Sequence, residues 1–189
     1  PAGSYPSESI TYSSNSRSWN GIAASADFKT MVAPVLGGSI YKSTDSGVSW
    51  AVLSGAGTKG WRGITCNSDC SKIAAAVYYG SGNGIWMSSN GGTSWSQLTG
   101  LPTNYWGGVT ASTDFTNLLA TVIGGNDQIW RSIDSGVNWA VISGSPSKSW
   151  AQIAANSAFN KFAAAVSNSS SGEYLYQSLD DGTTWSQIT

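Results

Sequence analysis

The chain has 189 residues and a net charge of −1, from nine basic and ten acidic side chains, with no histidine. A field this weak excludes a phosphate-backbone partner and a polybasic membrane surface. The missing imidazole removes histidine triads, histidine general bases and histidine-ligated zinc together. With 40% hydrophobic residues and ten Trp the chain can build a core, and no apolar run is long enough to span a membrane. Solubility rests on Ser, Gly, Asn and Thr rather than on charge, a composition that suits an extracellular or cell-surface protein. Pro1 opens the sequence without a leader pattern, which reads as a processed or excised segment.

Residues 1–18 form a tail in which Glu8–Tyr12 is expected as one extra strand. From Trp19 onward the sequence repeats. Trp19, Trp61, Trp106 and Trp150 recur at roughly 44-residue intervals, a solenoid or propeller period. Each is followed by a third-strand aromatic (Tyr41, Trp86, Trp130, Tyr176) and then by a second Trp (Trp50, Trp95, Trp139, Trp185). These series absorb every Trp in the chain. The units are 19–59, 60–104, 105–148 and 149–189.

Each unit predicts four strands. The first starts at Trp19, Trp61, Trp106 or Trp150. The second is the small-residue run Met31–Val35, Ile73–Val77, Leu118–Val122 or Phe162–Val166, where Pro34 is a local departure because it donates nothing to a ladder. The third carries the aromatic and ends in Ser43, Ser88, Ser132 or Ser178, and a short fourth follows a tight turn. Short apolar runs between turn signals, without helical periodicity, read as strands. Four strands per unit is the arithmetic of a propeller blade.

The turn before the fourth strand has the pattern Ser-x-Asp-x-Gly-x-x-Trp. It runs through Asp45, Gly47 and Trp50, then Asn90, Gly92 and Trp95, then Asp134, Gly136 and Trp139, then Asp180, Gly182 and Trp185. The acid accepts backbone N–H bonds, Gly supplies a positive φ, and Trp covers the turn. Asn90 keeps the acceptor and loses the charge. The pattern resembles the Asp-box, or BNR, repeat, over nearly all of residues 19–189. The resemblance implies an all-β propeller of four blades, each a four-stranded antiparallel sheet with the box between strands three and four, and a structural rather than catalytic role for the box. Three arrangements stand open: a closed four-blade ring sealed by the N-terminal strand (the one favoured here), half of an eight-blade ring made by two chains, or a piece of a longer array. Self-association enters through the second.

Cys66 and Cys70 occupy positions held in the other units by Ala24 and Phe28, Ala111 and Phe115, and Ala155 and Phe159. Both change together, so the pair is expected to meet across the turn as a disulfide. That bond contributes about 2 kcal/mol for a loop this short and favours an oxidising compartment. No third ligand completes a metal site. Asn168 begins a glycosylation sequon.

Asp-box propellers include sialidases and glucan hydrolases, but the chain lacks their equipment. Arg17, Arg62 and Arg131 fall at different places in their units, Glu8 and Glu173 are the sole Glu residues, and the recurring Asp27, Asp69 and Asp114 read as turn residues. No catalytic residue, cofactor or metal is expected. The expected function is non-enzymatic recognition, with glycans as the leading ligand class and one weak site per blade gaining strength from multivalency. Candidate contacts are Trp19 and Asn20, Trp61 and Arg62, Tyr105 and Trp106, and Trp150 and Gln152. The alternative is a structural or adhesive repeat segment.

Overall fold

The computed structural model describes residues 17–125, 127–167 and 174–188. The tail with Glu8–Tyr12, the Asn168 sequon and Glu173 lie outside them. Unit one contributes β1 (Ala23–Ala24), β2 (Met31–Pro34), β3 (Leu36–Gly38), β4 (Ile40–Ser43) and β5 (Ala51–Val52). Unit two contributes β6 (Lys59–Cys66), β7 (Ile73–Tyr79), β8 (Gly84–Ser88) and β9 (Ser96–Gln97). Unit three has β10 (Trp106–Ala111), β11 (Leu118–Val122), β12 (Trp130–Ser132) and β13 (Ala140–Val141), and unit four has β14 (Trp150–Ala155), β15 (Phe162–Val166), β16 (Leu175–Ser178) and β17 (Ser186–Ile188).

Each unit folds into its own antiparallel sheet in chain order, as the repeat predicts. Two details differ. The first strand of unit one starts at Ala23 rather than Trp19, because Gly21 sits at φ 141° and breaks the ladder, leaving one bridge from Trp19 to Val35. The second is β3, which crosses to the next sheet and pairs with β6 beside Lys59 and Gly60, making that sheet five-stranded. Pro34 sits at the end of β2, where its missing donor costs least and its carbonyl accepts from Asn20 N–H at 3.1 Å.

The sheets pack face to back in sequence. Every sheet has an aromatic front and an aliphatic back, since alternate strand residues point to opposite faces. At the joint of units one and two, Val32, Ile40 and Leu53 meet Trp61, Trp86 and Trp95. At the next joint Ala74, Ile85 and Leu98 meet Trp106, Trp130 and Trp139. At the last, Leu119, Ile129 and Ile142 meet Trp150, Tyr176 and Trp185. Sheets one and four do not pack on each other as these neighbours do. Among the described residues sheets one and four form no such joint, and the strand expected to seal a four-blade ring lies in the tail outside them. No described sheet covers the front of unit one or the back of unit four.

Close approach near the axis depends on Gly63. A methyl group there would lie 2.9 Å from the Gly107 carbonyl oxygen and from Gly108 Cα, so a larger residue would push the first strands of units two and three apart.

Candidate functional site

The four box turns share one hydrogen-bond plan. In unit three the Ser132 hydroxyl is buried, donates to Asp134 Oδ1 at 2.8 Å and accepts from Gly136 N–H at 2.8 Å. Asp134 accepts from Asn138 N–H at 2.8 Å, and Trp139 Nε1–H donates to the Gly136 carbonyl at 3.0 Å. Ser43, Ser88 and Ser178 repeat the first two bonds. Asn90 takes the place of the acid without loss, accepting from Ser94 N–H and donating to its hydroxyl. The residue before Trp matters more than the sequence pattern allowed, because Ser49, Ser94, Asn138 and Thr184 each bond the box acid or amide with backbone and side chain alike. The side-chain and backbone donors of Ser49, with the Ser43 hydroxyl, pull the Asp45 carboxyl down to about 2. Asp134 is lowered chiefly by the Asn138 N–H, and Asp180 chiefly by the Thr184 hydroxyl. These carboxylates are occupied structural acceptors.

Asp27 and Asp114 behave the same way in the turn after the first strand, accepting from Ser25 and Ser112. Asp69 accepts from Ser71 N–H at 2.9 Å. In unit four Asn156 does this work for Asn160 and Lys161. Phe28, Cys70, Phe115 and Phe159 all hold a left-handed backbone, with φ between 53° and 63°. Cys66 and Cys70 form the expected disulfide.

The first-strand aromatics divide. Trp61, Trp106 and Trp150 are completely buried in the joints, edge-on to Trp86, Trp130 and Tyr176. No ligand reaches them in this structure, and the expectation that they form binding platforms is corrected: the back of the preceding sheet covers each one. Trp19 keeps the same edge-on contact, to Tyr41, yet is 46% exposed, since no described sheet lies against it. Asn20 is half-buried next to Trp19, and Gln152 is exposed, beside Gly108 at the joint of units three and four.

Two candidates do come together. Arg62 places its guanidinium 5.0 Å from the ring centre of Tyr78. Tyr78 packs against Tyr79 and Tyr105, each with ring centres 5.6 Å away. Tyr79 and Tyr105 are 42% and 52% exposed. Beside them Asn104 accepts from Tyr105 N–H and donates to Asp127 at 2.9 Å. Arg62 Nε is a buried donor with no partner among the described residues. Tyr78 and Tyr79 were missed because they extend the small-residue run of β7 by two positions. The signal was present: the other units hold Leu36 and Gly37, Ile123 and Gly124, and Ser167 and Asn168 there, so the repeat does not call for tyrosine.

A cleft of about 690 Å³ opens at the outer rim between units three and four, lined by Ile133, Trp139, Val141 and Thr183. Arg131 spans those units through an ion pair with Asp181 at 2.8 Å. Lys42 makes the matching reach from unit one to the Gly91 carbonyl at 3.0 Å. In units one and three the position after the third-strand aromatic is thus a strut between sheets.

No protein-family model and no curated protein matches the sequence. The fold has many solved counterparts. An enzyme of glycoside hydrolase group GH74 from Niastella koreensis superposes with a TM-score of 0.71 at 19% identity, covering 91% of this chain and 30% of its own. YCF48 bound to D1 peptide gives 0.63 at 15% identity, covering 90% and 53%, and a nidogen/laminin complex gives 0.68 at 16%, covering 86% and 60%. The fold is a β-propeller. Its four sheets are blades, and the chain spans between about a third and three fifths of the length of these three propeller structures. At such identities the likeness concerns the fold alone. No helix of the described residues is long and apolar enough to cross a membrane.

Proposed function

We propose that the chain is a non-enzymatic recognition module of the Asp-box type, working outside the cell, with a glycan as its ligand. The observation that carries this reading is the open tyrosine surface of Tyr79 and Tyr105, backed by Tyr78 and Arg62 at the joint of blades two and three. Aromatic faces pack against the C–H faces of a sugar ring, while Arg and Asn groups bond its hydroxyls. The unpartnered Nε donor of Arg62 suits an oxygen-rich ligand. The cluster departs from the repeat, so packing of the blade does not account for it. The Asp-box assignment is supported by the shared hydrogen-bond plan of four turns. The disulfide favours an oxidising compartment.

The non-catalytic reading is supported by the engagement of the described carboxylates: the box and turn acids accept turn N–H and hydroxyl groups, Asp127 binds Asn104, and Asp181 pairs with Arg131. Glycoside hydrolysis needs two carboxyl groups facing the scissile bond. One structural neighbour is described as a xyloglucanase, so a sugar ligand has precedent among these propellers.

The test is a glycan-array screen of the labelled, clustered protein, followed by titration of the best sugar. Wild type is expected to bind a coherent set of related sugars. Tyr105→Ala is expected to weaken binding about tenfold, or ~1.4 kcal/mol, with melting unchanged. Absence of binding by folded protein, or binding indifferent to Tyr105 and Tyr79, overturns the reading.

A further inference from the structure

The three internal joints show what covers each kind of blade face. A front built on a first-strand Trp is always covered by a back built on three aliphatic positions. These are Val32, Ile40 and Leu53 in blade one, with Ala74, Ile85 and Leu98, then Leu119, Ile129 and Ile142, in the next two. Among the described residues one face of each kind is left without a covering sheet. On blade one, Trp19, Ile22 and Phe28 are exposed, Phe28 by 65%, although their counterparts Trp106, Val109 and Phe115 are buried. A hollow of about 500 Å³, lined by Trp19, Gly21, Ile22, Ala33 and Trp50, lies on this face. On blade four, Ala163, Leu175 and Ile188 occupy the three back positions, and all are exposed, Leu175 by 54%. A contiguous apolar surface of this kind marks an interaction site.

We propose that the two end faces are the two halves of one interface, and that the occupant of each is a second copy of this chain. The back of blade four seats on the front of blade one of the other copy. A two-fold axis repeats the contact, and eight blades close into a ring. Front and back are different surfaces, so the contact is head-to-tail, and such contacts close when the rotation permits. Eight blades lie within the usual range of propellers. The struts between blades have counterparts at the ends: Gln177 holds the place of Lys42 and Arg131, and Ser46 that of Gly91 and Asp181. One position differs. Gln152 stands where Gly21, Gly63 and Gly108 let the next blade's first strand close in, so the joint between copies is wider at the axis and rests on the outer part of the face. This makes the dimer reversible. The inference is independent of the glycan reading.

The experiment is the mass of the full chain in solution, by sedimentation over a concentration series. The wild type is expected at twice the chain mass at tens of micromolar and to dissociate on dilution. Phe28→Asp and Leu175→Asp are each expected to be monomeric, with unchanged circular dichroism, because both side chains lie in solvent in the single chain. Mixed in equal amounts, the two variants keep one intact front and one intact back, so a dimer with a single joint is expected to return. Tyr105→Ala is expected to keep the wild-type mass, which separates this proposal from the glycan site. A monomeric wild type, growth beyond the dimer, association that survives either aspartate, or variants that stay apart when mixed overturns the proposal.

Discussion

Blade three and blade one carry the same parts in different company. Phe115 and Phe28 adopt the same left-handed backbone, φ 63° and 58°, in turns closed by the same bonds, yet Phe115 is buried and Phe28 lies in solvent. Trp106 and Trp19 each meet the third-strand aromatic of their own blade edge-on, and one is buried while the other is half open. Conformation is local to the unit, whereas burial is given by the neighbour. In a stacked array, stability is approximately a sum of unit terms and nearest-neighbour terms, and this chain displays the two separately.

The largest expected effect follows at those tryptophans. Trp106→Ala should destabilise the fold by about 3–5 kcal/mol, the cost of emptying a large buried aromatic site. Trp19→Ala, measured where the chain is monomeric, should cost less than half as much. Denaturant melts of both variants check this, and equal losses would break the comparison. The box serines sharpen it further. Ser132→Ala strands the buried Gly136 N–H and should cost about 1–3 kcal/mol. Ser43→Ala in blade one strands Gly47, which is only half-buried, and should cost less.

The smallest effect is with pH. Asp45 has a folded value of about 2 against an ordinary 3.8, through its bonds to Ser49 and Ser43. A carboxyl lowered on folding stabilises fully above its unfolded value, and that contribution fades as pH falls through the folded one. The Ser49 amide should therefore lose hydrogen-exchange protection between about pH 4 and pH 2. The Ser94 amide, held by uncharged Asn90, should keep it. Equal loss at both amides would point to global unfolding instead.

Much of the fold was legible because the repeat is written in turn chemistry. Ser, Asp, Gly and Trp at fixed offsets specify a local hydrogen-bond plan that needs no distant partner, and the four sheets follow from it. The crossing strand β3 was not legible, since Leu36–Gly38 pairs with a strand of the next unit and carries no apolar alternation of its own. The candidate site was half legible. Arg62 and Tyr105 stood out beside their tryptophans, but Tyr78 and Tyr79 looked like the end of a strand, and the link between them runs across a joint.

By itself the sequence determined the period, the strand count per sheet, the box turns and the paired cysteines. All of these depend on residues within a few positions of one another. Only the tertiary structure decided which aromatics are core and which are surface, that the first and last of the described sheets do not join, and where the tyrosines gather. Those outcomes depend on which sheet lies against which. The four units carry nearly the same pattern, so their own residues cannot tell an inner blade from an end one.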